Sequence, residues 1–365
     1  MKCLCVIDCI GLGGAQRQLV NIACGLAARG HHVEIFTYRH EADFRPKVEA
    51  AGIRVHYHLK VGRFSLGPLR HLRQLLRDGS FDTVLAFLET PVVYAELATV
   101  GMPGLRLIVS ERNSVYGGHA TAGRVLKSQL HRVADAVVAN SNAHHDWMAQ
   151  RFPFLADRLL TIWNGIDLES FHPAPPPPAH HELRLLGIGR IARAKNIPRL
   201  AEATARCIAE GIPVEIDWVG RVDQPDEADA ARRRVTELDL DAHWRWRGER
   251  SDIPQLLHAC DALIAPSLWE GLPNVVCEAL ASGVPVLASN VSDNARLVPD
   301  GVHGFTFPAE DVDAMAAAIR RFAALPAAER TTMGVRARAF AERNLGFAAC
   351  IDAYERLLTS RSSRG

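Results

Sequence analysis

Net charge is nearly absent from this sequence. Its 42 Lys and Arg against 41 Asp and Glu leave +1, which gives no electrostatic reason to expect a nucleic-acid partner. Paired cysteine spacings are also missing: eight cysteines occur without one C-x-x-C. Cys3 and Cys5 share a face of an apolar strand, so they read as buried, reduced thiols, as in a cytosolic protein. Long apolar runs are lacking too. None approaches the ~20 residues of a membrane span, and the N-terminal run, with one Lys, breaks at Asp8, too early for a signal peptide. The expectation is a cytoplasmic protein, at most peripheral at the inner face of a membrane.

What is present suits two globular domains. A chain of 365 residues is long for one core, and 48% hydrophobic with 23% charged residues is ordinary for a soluble fold. The run HPAPPPPAHH favours stiff polyproline II and cannot be core, so a linker is expected at 173–182. Before it, the strand KCLCVIDCI, a helix from about Ala15 to Arg29 and the strand HHVEIFTY form a βαβ unit. FDTVLAFL, LRLIVSERN and ADAVVANS read as further strands, the last being the final clear strand of the first domain. Gly11, Gly13 and Gly14 permit a tight turn. Residues 60–77 combine a stripe of Leu69, Leu72, Leu75 and Leu76 with Arg70, Arg73 and Arg77. That is either a helix packing its leucines on the sheet or a basic surface for an anionic membrane. Residues 1–170 carry 19 Lys and Arg against 15 Asp and Glu, a mild positive excess that agrees with the second use.

The most informative stretch is residues 265–291, APSLWEGLPNVVCEALASGVPVLASNV. A strand ends at Pro266, Asn274 offers an N-cap, a short apolar helix follows, and Gly283 with Pro285 stops it. Glu270 in the loop and Glu278 on the helix are separated by seven residues, a spacing that brings both acids to the helix N-terminus, where a phosphate is welcome. A lone Glu on a helix is most often a solvated surface group. Here the rest of the helix is almost wholly apolar, so Glu278 is expected to be buried and to need donors, which sugar hydroxyls would supply.

Ser267, Glu270, Gly271, Leu272, Pro273, Asn274, Glu278, Ala279, Ser282, Gly283 and Pro285 resemble the signature of family 4 of the retaining glycosyltransferases. The resemblance runs over nearly the whole chain. It implies an α/β protein of two Rossmann-like domains facing across a cleft (GT-B), with parallel sheets flanked by helices. Residues 1–172 would form the acceptor-side domain and 183–345 the nucleotide-sugar domain. The helix in 346–360 would return towards the first, with 361–365 as a disordered tail. It implies that Glu278 holds the ribose, that Glu270 sits against the donor sugar, and that amides around Gly271, Leu272, Pro273 and Asn274 meet the sugar and diphosphate. Gly13 and Gly14 would face the diphosphate, and backbone near Gly248 and Ser251 would hold the base.

Gly187, Gly189 and Ala192 also match the dinucleotide fingerprint G-x-G-x-x-A, but the expected acid some twenty residues on is missing: Ile212 to Val214 stand there. The resemblance assigns Arg190 and Lys195 instead to the leaving diphosphate, two cations doing without a metal what stabilises a leaving group. SERN, Ser110 to Asn113, falls at a strand's C-terminal end, where open α/β sheets place ligands. Many family members carry a His near Glu111. Here Glu111 stands open to pairing with Arg112 or the acceptor, with His119 as another candidate. The subgroup resembled works on membrane-carried glycans. The reading is therefore a metal-independent retaining transferase taking a nucleotide-sugar, most commonly a UDP-sugar, to a glycan or lipid-linked glycan. A sugar-phosphorylase or epimerase, a nicotinamide enzyme and a non-catalytic sugar-nucleotide sensor are the rivals.

Overall fold

Apolar runs of four to six residues alternate with helices along both halves of the chain. The computed structural model, which describes residues 1–62, 65–112, 127–175 and 181–360, folds these runs into two all-parallel sheets. Asn113, His119, residues 63–64 of the basic segment, 176–180 of the proline run and the tail 361–365 lie outside the described residues. Packing separates two units: Met1–Gly165 with Phe347–Gly365, and Ile166–Gly346.

The first unit holds β1 (Lys2–Val6), β2 (His32–Thr37), β3 (Arg54–Tyr57), β4 (Thr83–Phe87), β5 (Arg106–Glu111), β6 (Ala136–Ala139) and β7 (Leu159–Thr161), in the order β3-β2-β1-β4-β5-β6-β7. Side chains alternate across a strand, so Cys3 and Cys5 enter the core on one face and Leu4 and Val6 the core on the other. Helices cover both faces, as a parallel sheet requires. The helix Phe347–Thr359 belongs to this unit, with Cys350, Tyr354 and Leu358 one turn apart and buried beside Leu19 and Ile22. ADAVVANS is not the last strand here. β7 follows it and pairs with β6 at the sheet edge.

The leucines of the basic segment pack inward. In the helix Gly67–Asp78, Leu72 and Leu76 are buried, with Leu69 and Leu75 against the same core. Arg73 donates to the carbonyls of Ala98 and Val100 at 2.7 and 2.9 Å, and so satisfies the orphan acceptors at the end of the helix Glu89–Thr99. No described helix is long and apolar enough to cross a membrane.

The second unit holds β8 (Leu183–Ile188), β9 (Val214–Val219), β10 (Trp244–Gly248), β11 (Ala262–Ala265), β12 (Val286–Ser289) and β13 (Gly304–Phe307), in the order β10-β9-β8-β11-β12-β13. The helix Asn274–Ala281 links β11 to β12. Asn274 is not its N-cap. Pro273 occupies that position and no side chain caps the helix, so Asn274 is its first residue.

Candidate functional site

Sheet order in the second unit reverses between β8 and β11, and open α/β sheets bind ligands at the C-terminal ends of strands at such a point. The loop after β8 carries Arg190 and Lys195; the loop after β11 carries Ser267, Glu270 and Gly271. Two ties bring these loops together. The Leu268 N–H donates to the Ala194 carbonyl at 2.8 Å. Buried Asn196 sits in the left-handed region (φ 55°), which Asn tolerates, and its Nδ2 donates to the carbonyls of Pro266 and Ala309 at 3.1 and 2.7 Å.

These ties place Lys195 Nζ 2.6 Å from Glu270 Oε1, and Ser267 Oγ donates to the same oxygen at 2.7 Å. Glu270 Oε2 has no hydrogen bond among the described residues and keeps accepting capacity. Gly189 makes room for the lysine: a Cβ there would lie 2.4 Å from Lys195 Cε. At Gly187 a Cβ would meet the Trp218 ring at 2.3 Å, so both glycines of the apparent dinucleotide pattern are used inside the protein.

Beyond Glu270 the chain turns into the helix Asn274–Ala281, with Leu272 buried and Ser292 Oγ donating to the Gly271 carbonyl. Every residue from Val276 to Ala281 is buried, Glu278 included at 7% exposure. Burial, with the Glu278 and Asp293 carboxylates adding, pushes the neighbouring Cys277 thiol far above its ordinary range, so it stays protonated and inert. Arg190 pairs with Asp223 at 2.6 Å. Gly248, at φ 66°, accepts from the Gly220 N–H at 2.8 Å, and Ser251 is exposed nearby in the chain. The structure thus brings Lys195, Ser267 and Glu270 into contact and sets Gly271 to Glu278 on the adjoining loop and helix. It leaves Arg190, Gly248 and Ser251 at or after the ends of strands of the same sheet, with no hydrogen bond or ion pair to that trio among the described residues.

In the first unit, Gly13 caps the helix Gly14–Ala28 from an extended conformation. Gln16 folds back over it, its Nε2 donating to Asp8 Oδ1 at 3.0 Å. Glu111 ends β5, 8% exposed. Its neighbour Arg112 is engaged elsewhere: it donates to Ser110 Oγ, Asn164 Oδ1 and Tyr354 Oη and stacks 3.9 Å over the Phe87 ring. Glu111 faces His131 instead, Oε1 to Nε2 at 3.5 Å, and His131 Nδ1 lies 2.5 Å from Glu96 Oε1. Burial by itself would lower the His131 pKa, but its hydrogen bonds to Glu111 and Glu96 prevail and raise it to about 9. Leu88, before the helix Glu89–Thr99, holds φ 72° and ψ 154°, a region costly for a residue with a Cβ.

Glu96 and His131 are absent from the sequence reading. Glu96 lies inside a mostly apolar helix, but Glu89 opens the same helix, so the isolation that singled out Glu278 was not there to read. A lone His131 carried no signal.

Two family models match the chain: "Glycosyltransferase Family 4" over residues 12–170 and "Glycosyl transferases group 1" over residues 182–324. The UDP-Gal:alpha-D-GlcNAc-diphosphoundecaprenol alpha-1,3-galactosyltransferase of Escherichia coli is 32% identical over 174 residues, 45% of this chain and under half, 45%, of that enzyme. The phosphatidyl-myo-inositol mannosyltransferase of Mycolicibacterium smegmatis is 26% identical over 84% of this chain and 80% of its own. A crystal structure of Anabaena HepE in complex with UDP and glucose superposes with a TM-score of 0.83 at 22% identity, covering 99% of this chain and 100% of that one. That likeness establishes the fold, two Rossmann-like units in one chain (GT-B).

Proposed function

The chain belongs to family 4 of the glycosyltransferases, and from that premise we propose that it moves a sugar from a UDP-sugar to a hydroxyl of a glycan or lipid-linked glycan, with retention and without a metal. The observation that carries the proposal is the Lys195–Glu270–Ser267 contact on the loop that leads into the helix of the buried Glu278. Lys195 and Arg190 offset the charge of the departing diphosphate. Glu278 accepts from the ribose hydroxyls. Glu270 and Asn274 hold the sugar, with the amides of Gly271, Leu272 and Pro273 at the helix N-terminus. Gly248 and Ser251 flank the base, Gly13 and Gly14 serve the diphosphate, and Glu111 serves the sugar hydroxyls. As the bond from the sugar carbon to the phosphate oxygen breaks, the acceptor oxygen bonds the same face and its proton passes to the phosphate. A UDP-sugar and a lipid diphosphate acceptor are what the E. coli relative is named for, and HepE is described with UDP.

Titration calorimetry with UDP, GDP, ADP and NAD, a chelator present, tests the donor. UDP binds in this reading; NAD alone binding would end it. Glu278→Ala loses nucleotide affinity, whereas Glu270→Ala keeps UDP and loses discrimination between UDP-sugars. If Glu278→Ala bound UDP like the parent, the ribose assignment would be wrong.

The membrane contact is carried by Val61, Leu66, Arg70 and Arg77, which are among the exposed described residues of 60–77. Flotation with anionic but not neutral vesicles is the expected result, lost in Arg70→Glu with Arg77→Glu.

A further inference from the structure

Three elements of the first unit bury a small charged cluster: Glu96 on the helix Glu89–Thr99, His131 on the short 3-10 helix Gln129–Val133, and Glu111 at the end of β5. Glu96 is 0% exposed and His131 3%. Both imidazole nitrogens face a carboxylate, Nδ1 at 2.5 Å from Glu96 and Nε2 at 3.5 Å from Glu111. With both acids ionised, a neutral ring has one N–H and would turn a bare lone pair on one of them, whereas an imidazolium donates to both; burial pushes the Glu96 pKa up, and its hydrogen bond to His131 works against that. Glu96 Oε2 has no hydrogen-bond partner among the described residues. A fully buried carboxylate so poorly satisfied is costly as packing alone, and its described contact is with His131.

Glu111 and His131 line a small pocket with Glu89, Lys127 and Ser128. Lys127 is paired with Glu89, Arg112 lies over Phe87 and Arg132 over Phe154. Among the described residues, those are charged groups near the ring, and Glu96 and Glu111 are the two that it faces.

We infer that His131, backed by Glu96, is a positioning residue that holds Glu111 as an ionised carboxylate at the end of β5, an acceptor for a hydroxyl of the reacting sugars. The inference rests on the transferase reading above. In it the imidazolium keeps the proton, so Glu111 accepts from a hydroxyl and does not donate. The raised His131 pKa makes this arrangement persist through neutral pH.

Two measurements on the full chain test it. The first is NMR titration of the His131 ring in parent and Glu96→Gln. The second is the pH profile of kcat for UDP release from UDP-hexoses, with water or a GlcNAc-diphosphate lipid as acceptor. The midpoint is expected near 9 in the parent and lower by at least about one unit in Glu96→Gln. That variant should then match the parent at pH 6, where both rings are charged. Above pH 8 its kcat should fall progressively below the parent's, to about tenfold near pH 10, with UDP affinity unchanged, and Glu96→Asp should recover part of the loss. A parent midpoint near the ordinary 6.5, or variant and parent profiles that run parallel, would overturn the inference. A parent that transfers sugar to neither acceptor counts against the transferase reading instead, and the titration still decides whether His131 is the charged holder of Glu111.

Discussion

Lys195 reaches Glu270 only because Gly189 lacks a side chain and because the Ala194 carbonyl is tied to the loop after β11. Two consequences follow at this scale. Lys195→Ala should weaken UDP binding by about 10- to 100-fold, the loss of one hydrogen bond to a charged group, measured by calorimetry. Its melting temperature should fall as well, since the two side chains are only 17 and 18% exposed and the substitution leaves the Glu270 carboxylate without its cation. Gly189→Ala should reproduce the binding loss with Lys195 still present, because the added methyl displaces the lysine stem; unchanged affinity would mean the lysine does not need that path. Glu34 supplies a prediction in pH. Burial alone would raise its pKa, but hydrogen bonds from His56, His32 and Lys2 outweigh it and bring the value from 4.5 to about 2. A depressed carboxylate stabilises the fold above its unfolded pKa and loses that contribution as pH falls through its folded one. The stability gap between parent and Glu34→Gln should therefore be full at pH 6 and shrink between about 4.5 and 2, read from chemical denaturation at each pH. A gap that held constant to pH 2 would remove Glu34 from the account.

Elements were legible in the sequence where burial is two-sided. β1, β4, β5 and β11 are continuous apolar runs because helices cover both sheet faces, and the stretch from Ala265 to Ser289 declared its loop and helix through Pro266, Gly283 and Pro285. The strands passed over are edges: β3, RVHY, is exposed at both ends and only partly buried between, and β7 has three residues. The helix Ala327–Asn344 escaped for another reason. It buries Met333, Gly334, Ala337 and Ala341, a face of mostly small residues that lets Gly334 approach the Gly283 carbonyl and leaves little hydrophobic periodicity to read. In the candidate site the Glu270–Glu278 spacing was visible, whereas the Glu96–His131–Glu111 cluster joins three elements far apart in sequence and no local pattern announces it. The helix Phe347–Thr359 was expected from the family resemblance, and its place in the core makes a stability prediction. Tyr354 is fully buried, closes on Phe87 and accepts from Arg112. Tyr354→Ala should cost about 3–5 kcal/mol, as large aromatic truncations in cores do, measured by urea unfolding. A loss below about 1 kcal/mol would show that this helix is not part of the first unit's core.

Each unit of the molecule carries a core of its own, one around Trp218, Phe305 and Phe322, the other on the two faces of the sheet centred on β1. The residues proposed to hold the nucleoside and its sugar, Lys195, Glu270 and the helix with Glu278, all lie in Ile166–Gly346. Ligand that binds only the folded state stabilises what it binds, by about 2.7 kcal/mol at 100 times its Kd. Hydrogen exchange should therefore report UDP as added protection in residues 183–200 and 266–282, at the ends of β8 and β11. Residues 83–111, with the Glu96 helix and β5, should exchange as before when the nucleotide lacks its sugar. Protection confined to residues 83–111 would move the donor site out of the second unit and with it the roles given to Lys195 and Glu278. Protection at β8 and β11 that survived Glu278→Ala undiminished would leave the diphosphate contacts standing and take the ribose away from that helix.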